Sequence, residues 1–362
     1  MALIDTLRTV ASDAGLDAVG VCDSAPFESV GDDIRSRVEH GHHGGLSFTY
    51  RDPELSTDIA RSLPWVRRLV VGIRRYLPEA PAHTVAPGRG RVARFATADH
   101  YRPLRRGLAD VAEVLRSEGH RTDLLVDDNR LVDRAAAVRA GVAWWGKSTM
   151  VLSPRLGPWF LIGSVATDAE LPVDGAMRRD CGTCTACIPA CPTGAIVAPG
   201  VLDASRCLSA VLQRPGSIPP VLREAVGTRF YGCDDCLDAC PPGHRLLDDE
   251  GRIADGIDLI EVLAMDDRAL RARFSHFFVP RNQARFLRRN ALVALGNGGG
   301  PRAFEVCTGY LGHPDPLLRR HAAWAVGRLD APGSRRVLET ASLDEHDDEV
   351  RQEIAAALGS LG

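Results

Sequence analysis

The chain has 362 residues, 45% of them hydrophobic and 25% charged, and a formal net charge of −3. That length favours two or three folded units, and the composition is that of an ordinary globular protein. Near-neutral charge excludes a global pull toward nucleic acid or membrane, so any site for a polyanion has to be local.

The N-terminal stretch MALIDTLRTVASDAGL reads as an amphipathic helix, because Asp5 and Arg8 interrupt the apolar run that a signal peptide requires. No apolar run approaches the ~18 residues needed to cross a bilayer. Ten cysteines without an export signal point to metal or redox use rather than disulfides, and to the cytoplasm. DAVGVCD follows as a short buried strand and RRLVVGIRRYL as a second one. YRPLRRGLADVAEVLRSEGH is an amphipathic helix, with Leu104, Leu108, Val111 and Val114 on one face. TDLLVDD is a strand, LVDRAAAVRAGV a helix stopped at Gly141, and TMVLSP and WFLIGSVATD two further strands. Strands alternating with helices predict an α/β domain with a mixed or parallel sheet.

Between Cys181 and Cys240 the periodicity gives way to cysteine, proline and glycine. CGTCTACIPACPTGA sets Cys181, Cys184, Cys187 and Cys191 in the run C-x2-C-x2-C-x3-C-P, and Cys207, Cys233, Cys236 and Cys240 complete a second set. In two-cluster ferredoxins the fourth cysteine of each run ligates the other cluster. That rule assigns Cys181, Cys184, Cys187 and Cys240 to one [4Fe–4S] cluster, and Cys191, Cys207, Cys233 and Cys236 to the other. Two zinc knuckles would also use CxxC pairs, but zinc has no need of the third evenly spaced cysteine or of the CP endings. Cys22 and Cys307 sit in apolar patterns and read as buried core thiols.

From about residue 255 the sequence is helical and self-similar. ARFLRRNALVALGN, PLLRRHAAWAVGRL and DEVRQEIAAALGSL align with glycines 296, 327 and 359, a repeat of 31 and 32 residues. Asp315–Pro316 supplies an N-cap followed by proline at the first helical position. Such a period with two helices per unit predicts a HEAT-like repeat. Residues 280–340 hold ten arginines against four acids, a local +6. Arg281, Arg285, Arg288, Arg289, Arg319 and Arg320 form the core of this basic patch, read as a phosphate track.

DDNRLVDRAAAVRAGVAWWGKSTMVLSPRLGPWFLIGSVATD, followed by CGTCTACIPACPTGAI and YGCDDCLDACP, resembles the epoxyqueuosine reductases, which complete queuosine synthesis in tRNA. HGHHGGLSF, STDIARSLPWVRRLVVGIRRY and RVARFATADHYRPL carry the same resemblance, which extends over essentially the whole chain. It implies an α/β N-terminal cobalamin-binding domain (1–175), a bacterial-ferredoxin-like insert with two [4Fe–4S] clusters (176–250), and a C-terminal all-α HEAT-like repeat that binds the tRNA anticodon stem-loop (251–362). It implies cobalamin in a base-off state, and the sequence lacks the D-x-H-x-x-G run that supplies a lower histidine ligand. An external low-potential donor would feed a monomer.

The resemblance places the proton donor at Asp127, with Asp128 and Asp133 as neighbours, and gives Asp133 an ion-pair or capping role. It places corrin contacts at Lys147, Ser148, Thr149, Ser209, Asp234 and Asp235, Lys147 being the only lysine of the chain. Tyr101 falls in an Asp99-His100-Tyr101 order that leaves open which side chain faces the substrate. LSAVLQRPGSIPP after Cys207, the CPPGHR ending and GPWFLIG depart from common members of the family. Two other readings remain: a dehalogenase-like cobalamin reductase, and a two-cluster electron carrier without catalysis of its own.

Overall fold

The computed structural model describes residues 2–77, 84–247 and 253–361. They divide into two compact units. The first combines 1–79, 98–205 and 234–248, and the second combines 80–97, 206–233 and 249–362. The cysteine-rich segment contributes residues to both units. The domain boundary expected at 250–251 lies outside the described residues.

In the first unit, α1 (Leu3–Asp13) leads into β1 (Ala18–Asp23), and β2 (Arg68–Arg75) forms the centre of the sheet. After α2 (Tyr101–Ser117) come β3 (Thr122–Leu125), α3 (Asp133–Arg139) and β4 (Phe160–Thr167). The strand order is β1-β2-β4-β3 and every pairing is antiparallel. The expected elements form, but the parallel or mixed direction does not. Alternation of helix and strand fixes the layers, whereas direction depends on how often each long connection recrosses the sheet.

The helix α2 packs on this sheet by its predicted face, with Leu104, Leu108 and Val111 wholly buried. Leu108 rests on two glycines paired across the strands, Gly72 and Gly163. A Cβ at Gly72 would stand 2.9 Å from Leu108, and one at Gly163 would stand 2.6 Å from it. The opposite face is covered by α3, whose Ala135, Ala136 and Ala137 join Cys22, Leu69, Val71 and Ile73 in one apolar cluster. Burial pushes the Cys22 thiol up to about 12, in keeping with a core residue.

In the second unit, Arg89–Val92 lies between Arg229–Tyr231 and Ile257–Asp258 in a small sheet. The repeat follows as α4 (Arg285–Gly298), α5 (Pro316–Leu329) and α6 (Asp348–Ser360), with Ala303–Gly309 and Ser334–Leu343 between them. Asp315 caps α5 by accepting from the Leu317 N–H at 2.9 Å. The repeating glycines have a packing cause. A Cβ at Gly296 would meet Ala325 at 3.0 Å, and one at Gly327 would meet Ala357 at 2.8 Å. The first two repeats thus need a bare backbone where the next helix crosses, whereas a Cβ at Gly359 would meet nothing within 4 Å. Cys307 is buried in this core with its thiol also pushed up to about 12. No helix among the described residues is long and apolar enough to cross a membrane.

Candidate active site

The chain leaves edge strand β3 at Leu125 and turns at Asp127, where φ is +54°. A non-glycine residue in the left-handed region carries a conformational cost, and such residues gather at functional sites. Arg130 takes both oxygens of the neighbouring Asp128, at 2.7–3.1 Å, and reaches Asp123 at 2.9 Å. Those bonds hold the Asp128 carboxyl below its ordinary range. Asp128 is thus a structural anion.

Asp127 is an exposed residue, and its carboxyl is nevertheless partly shielded by the protein around it. This partial burial raises its carboxyl above the usual range, against the pull of Arg105 and Arg134, while Asp128 adds to the rise. Tyr101, the first residue of α2, feels the same cluster: burial first, then Asp127 and Asp133, push its phenol up. Arg105, one turn along α2, stacks over the Tyr101 ring at 5.4 Å and donates to the Val126 carbonyl at 3.4 Å. Of the Asp99-His100-Tyr101 trio, Tyr101 is the member beside the acid. Asp99 caps α2 through the Arg102 N–H, and His100 tilts against Tyr76.

The turn Gly146–Thr149 joins the short strands Trp144–Trp145 and Val151–Leu152. Thr149 is left-handed at φ +68°, and Ser148 is buried. Lys147 Nζ donates to the Gly182 carbonyl at 2.6 Å, and the Lys147 carbonyl accepts from Gly200 at 2.9 Å. The only lysine therefore grips the loop between Cys181 and Cys184.

Four thiols of the first unit influence one another's titration. Burial pushes Cys240 up to about 11, with further contributions from Cys181, Cys187 and Cys184. Cys187 is raised by burial, then by Cys181 and Cys184, while Lys147 lowers it. Cys191 differs. Burial would raise it, but hydrogen bonds from Thr193, Ala195 and Ile196 outweigh that and lower it. The Ala195 N–H donates to its sulfur at 3.1 Å. Asp234 is buried, and Asp235 opens the short helix that carries Cys236.

In the second unit, Ser209 accepts from Gln213 through both its carbonyl and its hydroxyl, at 3.0 and 3.1 Å. Gln213 in turn accepts from the Tyr231 hydroxyl. The basic patch needs a correction. Arg289 is wholly buried and donates to the carbonyls of Val211, Leu212, Arg214 and Gly216, so no phosphate can reach it. Arg288 is buried against Asp267 and the Met265 carbonyl. Arg319 pairs bidentately with Glu345, and Arg320 pairs with Glu349 and Glu353. Arg281 and Arg285 remain exposed, Arg285 with one 3.4 Å contact to Asp315. A helical repeat of arginines looks the same in sequence whether it faces solvent or cross-links the helices.

Residues 180–243 match a 4Fe-4S double cluster binding domain, and 283–359 match HEAT repeats. Epoxyqueuosine reductase of Bacillus subtilis (strain 168) is 30% identical over 99% of this chain and 96% of its own length. That of Vibrio cholerae serotype O1 is 31% identical over 90% and 91%. The chain belongs to the epoxyqueuosine reductase family. A crystal structure of an epoxyqueuosine reductase with a tRNA-Tyr epoxyqueuosine-modified stem loop superposes with a TM-score of 0.90 at 30% identity, covering 99% of this chain and 98% of that one. Within this epoxyqueuosine reductase fold, the sequence-based expectation missed Arg105, Arg134 and the enclosure of the Asp133 Oδ1. A signal for Arg105 was present, since it lies four residues after Tyr101 on the same helical face.

Proposed function

We propose that this chain reduces epoxyqueuosine to queuosine in tRNA, using cobalamin supplied with electrons by two [4Fe–4S] clusters. The observation that carries the reading is Asp127, a carboxyl on a left-handed turn in a chain of this family. Cys181, Cys184, Cys187 and Cys240 would hold one cluster, and Cys191, Cys207, Cys233 and Cys236 the other. Bound cobalamin supplies a low-potential metal centre able to reduce a C–O bond.

The chain's own residues fit such a ligand at the Lys147–Thr149 turn. Trp144 Nε1, at the base of that turn, is buried with no partner among the described residues. A ligand rich in amide side chains would satisfy such a donor. Ser148, Thr149, Asp234 and Asp235 would add polar contacts. Asp127 gives its proton to the epoxide oxygen as the C–O bond breaks, so that a poor alkoxide leaving group departs neutral. Arg105 and Tyr101 lie beside that carboxyl and set its electrostatic surroundings.

Arg281 and Arg285 would meet tRNA phosphates, giving salt-dependent binding, while the choice of one modified base falls to the acid's pocket. The reading places the chain in the cytoplasm, as a monomer drawing on an external donor. Its test is anaerobic reconstitution with iron, sulfide and cobalamin, incubation with epoxyqueuosine-containing tRNA and a strong reductant, and nucleoside mass spectrometry. Cobalamin-dependent queuosine is the expected product. Bound clusters without cobalamin affinity would return the chain to the electron-carrier reading, and turnover of a small organohalide without tRNA would make it dehalogenase-like.

A further inference from the structure

A cavity of about 610 Å³ opens in the second unit, where the helix Asp267–Arg273, the turn Pro280–Asn282 and the N-terminal ends of α4 and α5 converge. That volume lies within the roughly 300–1,000 Å³ usual for ligand sites. Three carboxylates line the cavity, and each is already engaged. Asp266 caps its helix by accepting from the Ala269 N–H at 2.8 Å. Asp315 caps α5, and Asp267 takes the buried Arg288. The other two guanidiniums are held loosely. Arg271 and Arg285 each keep one carboxylate contact of 3.4 Å, to Asp267 and Asp315, with side chains 38% and 45% exposed.

Asn282 and Gln283 bring to the cavity two side-chain amides that make no hydrogen bond among the described residues. Asn282 and its neighbour Arg281 both sit in the left-handed region, at φ +52° and +50°. Such costly backbone gathers at ligand clamps. Tyr310 and His313 add a pair of parallel rings, 3° apart in plane with centroids at 5.3 Å. The Tyr310 hydroxyl is spent on the Leu263 carbonyl at 2.6 Å, which fixes its ring. His313 Nδ1 accepts from the Asp315 N–H at 3.0 Å, so the proton of the neutral imidazole stands on Nε2.

We infer that this cavity holds one unpaired nucleotide of the RNA, with Arg271 and Arg285 on its phosphate, Asn282 and Gln283 on the edge of its base, and the Tyr310–His313 pair beside the base plane. The inference rests on the proposed function and deepens it: the repeat unit reads a base as well as holding phosphates. Guanidiniums with unspent N–H donors suit phosphate. A side-chain amide offers a donor and an acceptor side by side, as the edge of a base does. Aromatic rings offer a stacking surface that any base can use. An inorganic anion would leave the amides and rings idle, and a base without its phosphate would leave the two guanidiniums idle.

The test uses the full, cluster-containing chain and an unmodified anticodon stem-loop in which each loop nucleotide is in turn made abasic. In wild type, one abasic position should weaken binding on the order of 10-fold, as loss of a stacked base does. In Asn282→Gly/Gln283→Ala that position should cost nothing further, while salt dependence and melting temperature match wild type; glycine keeps the left-handed turn. Arg271→Ala should instead lower the log–log salt slope by about 0.7 and leave the abasic penalty in place. Abasic positions that all cost the double variant as much as they cost wild type overturn the pocket and leave the reductase reading intact. A 5′-mononucleotide that binds wild type but not the double variant, with a stem-loop indifferent to both residues, also overturns it, because the site then serves a free nucleotide. A wild-type chain that binds no stem-loop overturns the RNA reading of the proposed function and this pocket with it.

Discussion

Asp127→Asn separates chemistry from backbone. At φ +54° the residue needs a side chain that tolerates the left-handed region, and asparagine does so as readily as aspartate. The amide keeps the size of the carboxyl but has no proton to give. Loss of a positioned general acid costs about 10²- to 10⁴-fold in rate, equivalent to roughly 3–5 kcal/mol of barrier at 1.36 kcal/mol per decade. Asp127→Ala should lose a similar amount of rate and, in addition, about 1 kcal/mol of stability from forcing a plain Cβ residue into that turn. Single-turnover conversion followed by nucleoside mass spectrometry measures the first effect, and urea unfolding of the two variants measures the second. Iron content and RNA affinity should match wild type in both. An Asp127→Asn enzyme within about 3-fold of the wild-type rate would refute the assignment, because no general acid contributes so little.

Arg105 lowers the Asp127 carboxyl, so Arg105→Met should let it keep its proton to higher pH. Activity that requires the acid form falls as pH rises through that value, and the alkaline limb should move upward in the variant; a downward move contradicts the electrostatics. Glu353 accepts two bonds from Arg223, at 2.7 and 3.0 Å, with side chains 6% and 0% exposed. Glu353→Ala strands that buried guanidinium and should cost about 3–5 kcal/mol in chemical denaturation, where a loss below about 1 kcal/mol would show the pair to be dispensable. The double variant Arg281→Ala/Arg285→Ala should weaken RNA binding and flatten its salt dependence by roughly 1.5 in log–log slope, with unchanged melting. Arg319→Ala should do the reverse, lowering the melting temperature because it leaves Glu345 unpaired; an effect on RNA binding alone would restore Arg319 to the phosphate track.

Much of this molecule is legible in its sequence because the relevant signals are local. Iron chemistry imposes its spacing on consecutive cysteines, and Cys181, Cys184 and Cys187 announce a cluster before any fold is known. Amphipathic spacing placed the buried face of α2 on Leu104, Leu108 and Val111, and the glycines at 296 and 327 marked where neighbouring helices come into contact. Asp127 stood out only through resemblance, since an aspartate in D-D-N is ordinarily a turn residue.

The tertiary structure decided whatever depends on partners distant along the chain. Strand direction in the sheet was one such matter, because alternation does not encode the return path. The roles of the arginines were another. Arg289 and Arg281 are both basic residues of one stretch, yet one is spent on carbonyls of residues 211–216 and the other faces solvent. Asp127, Asp128 and Asp133 are three identical side chains within seven positions, and only their neighbours distinguish them. Arg130 fixes one as an anion, while desolvation raises the other two above their ordinary range. Sequence determines which groups can ionise; the surrounding protein sets the free energy of doing so, and that is decided only when the chain has folded around them.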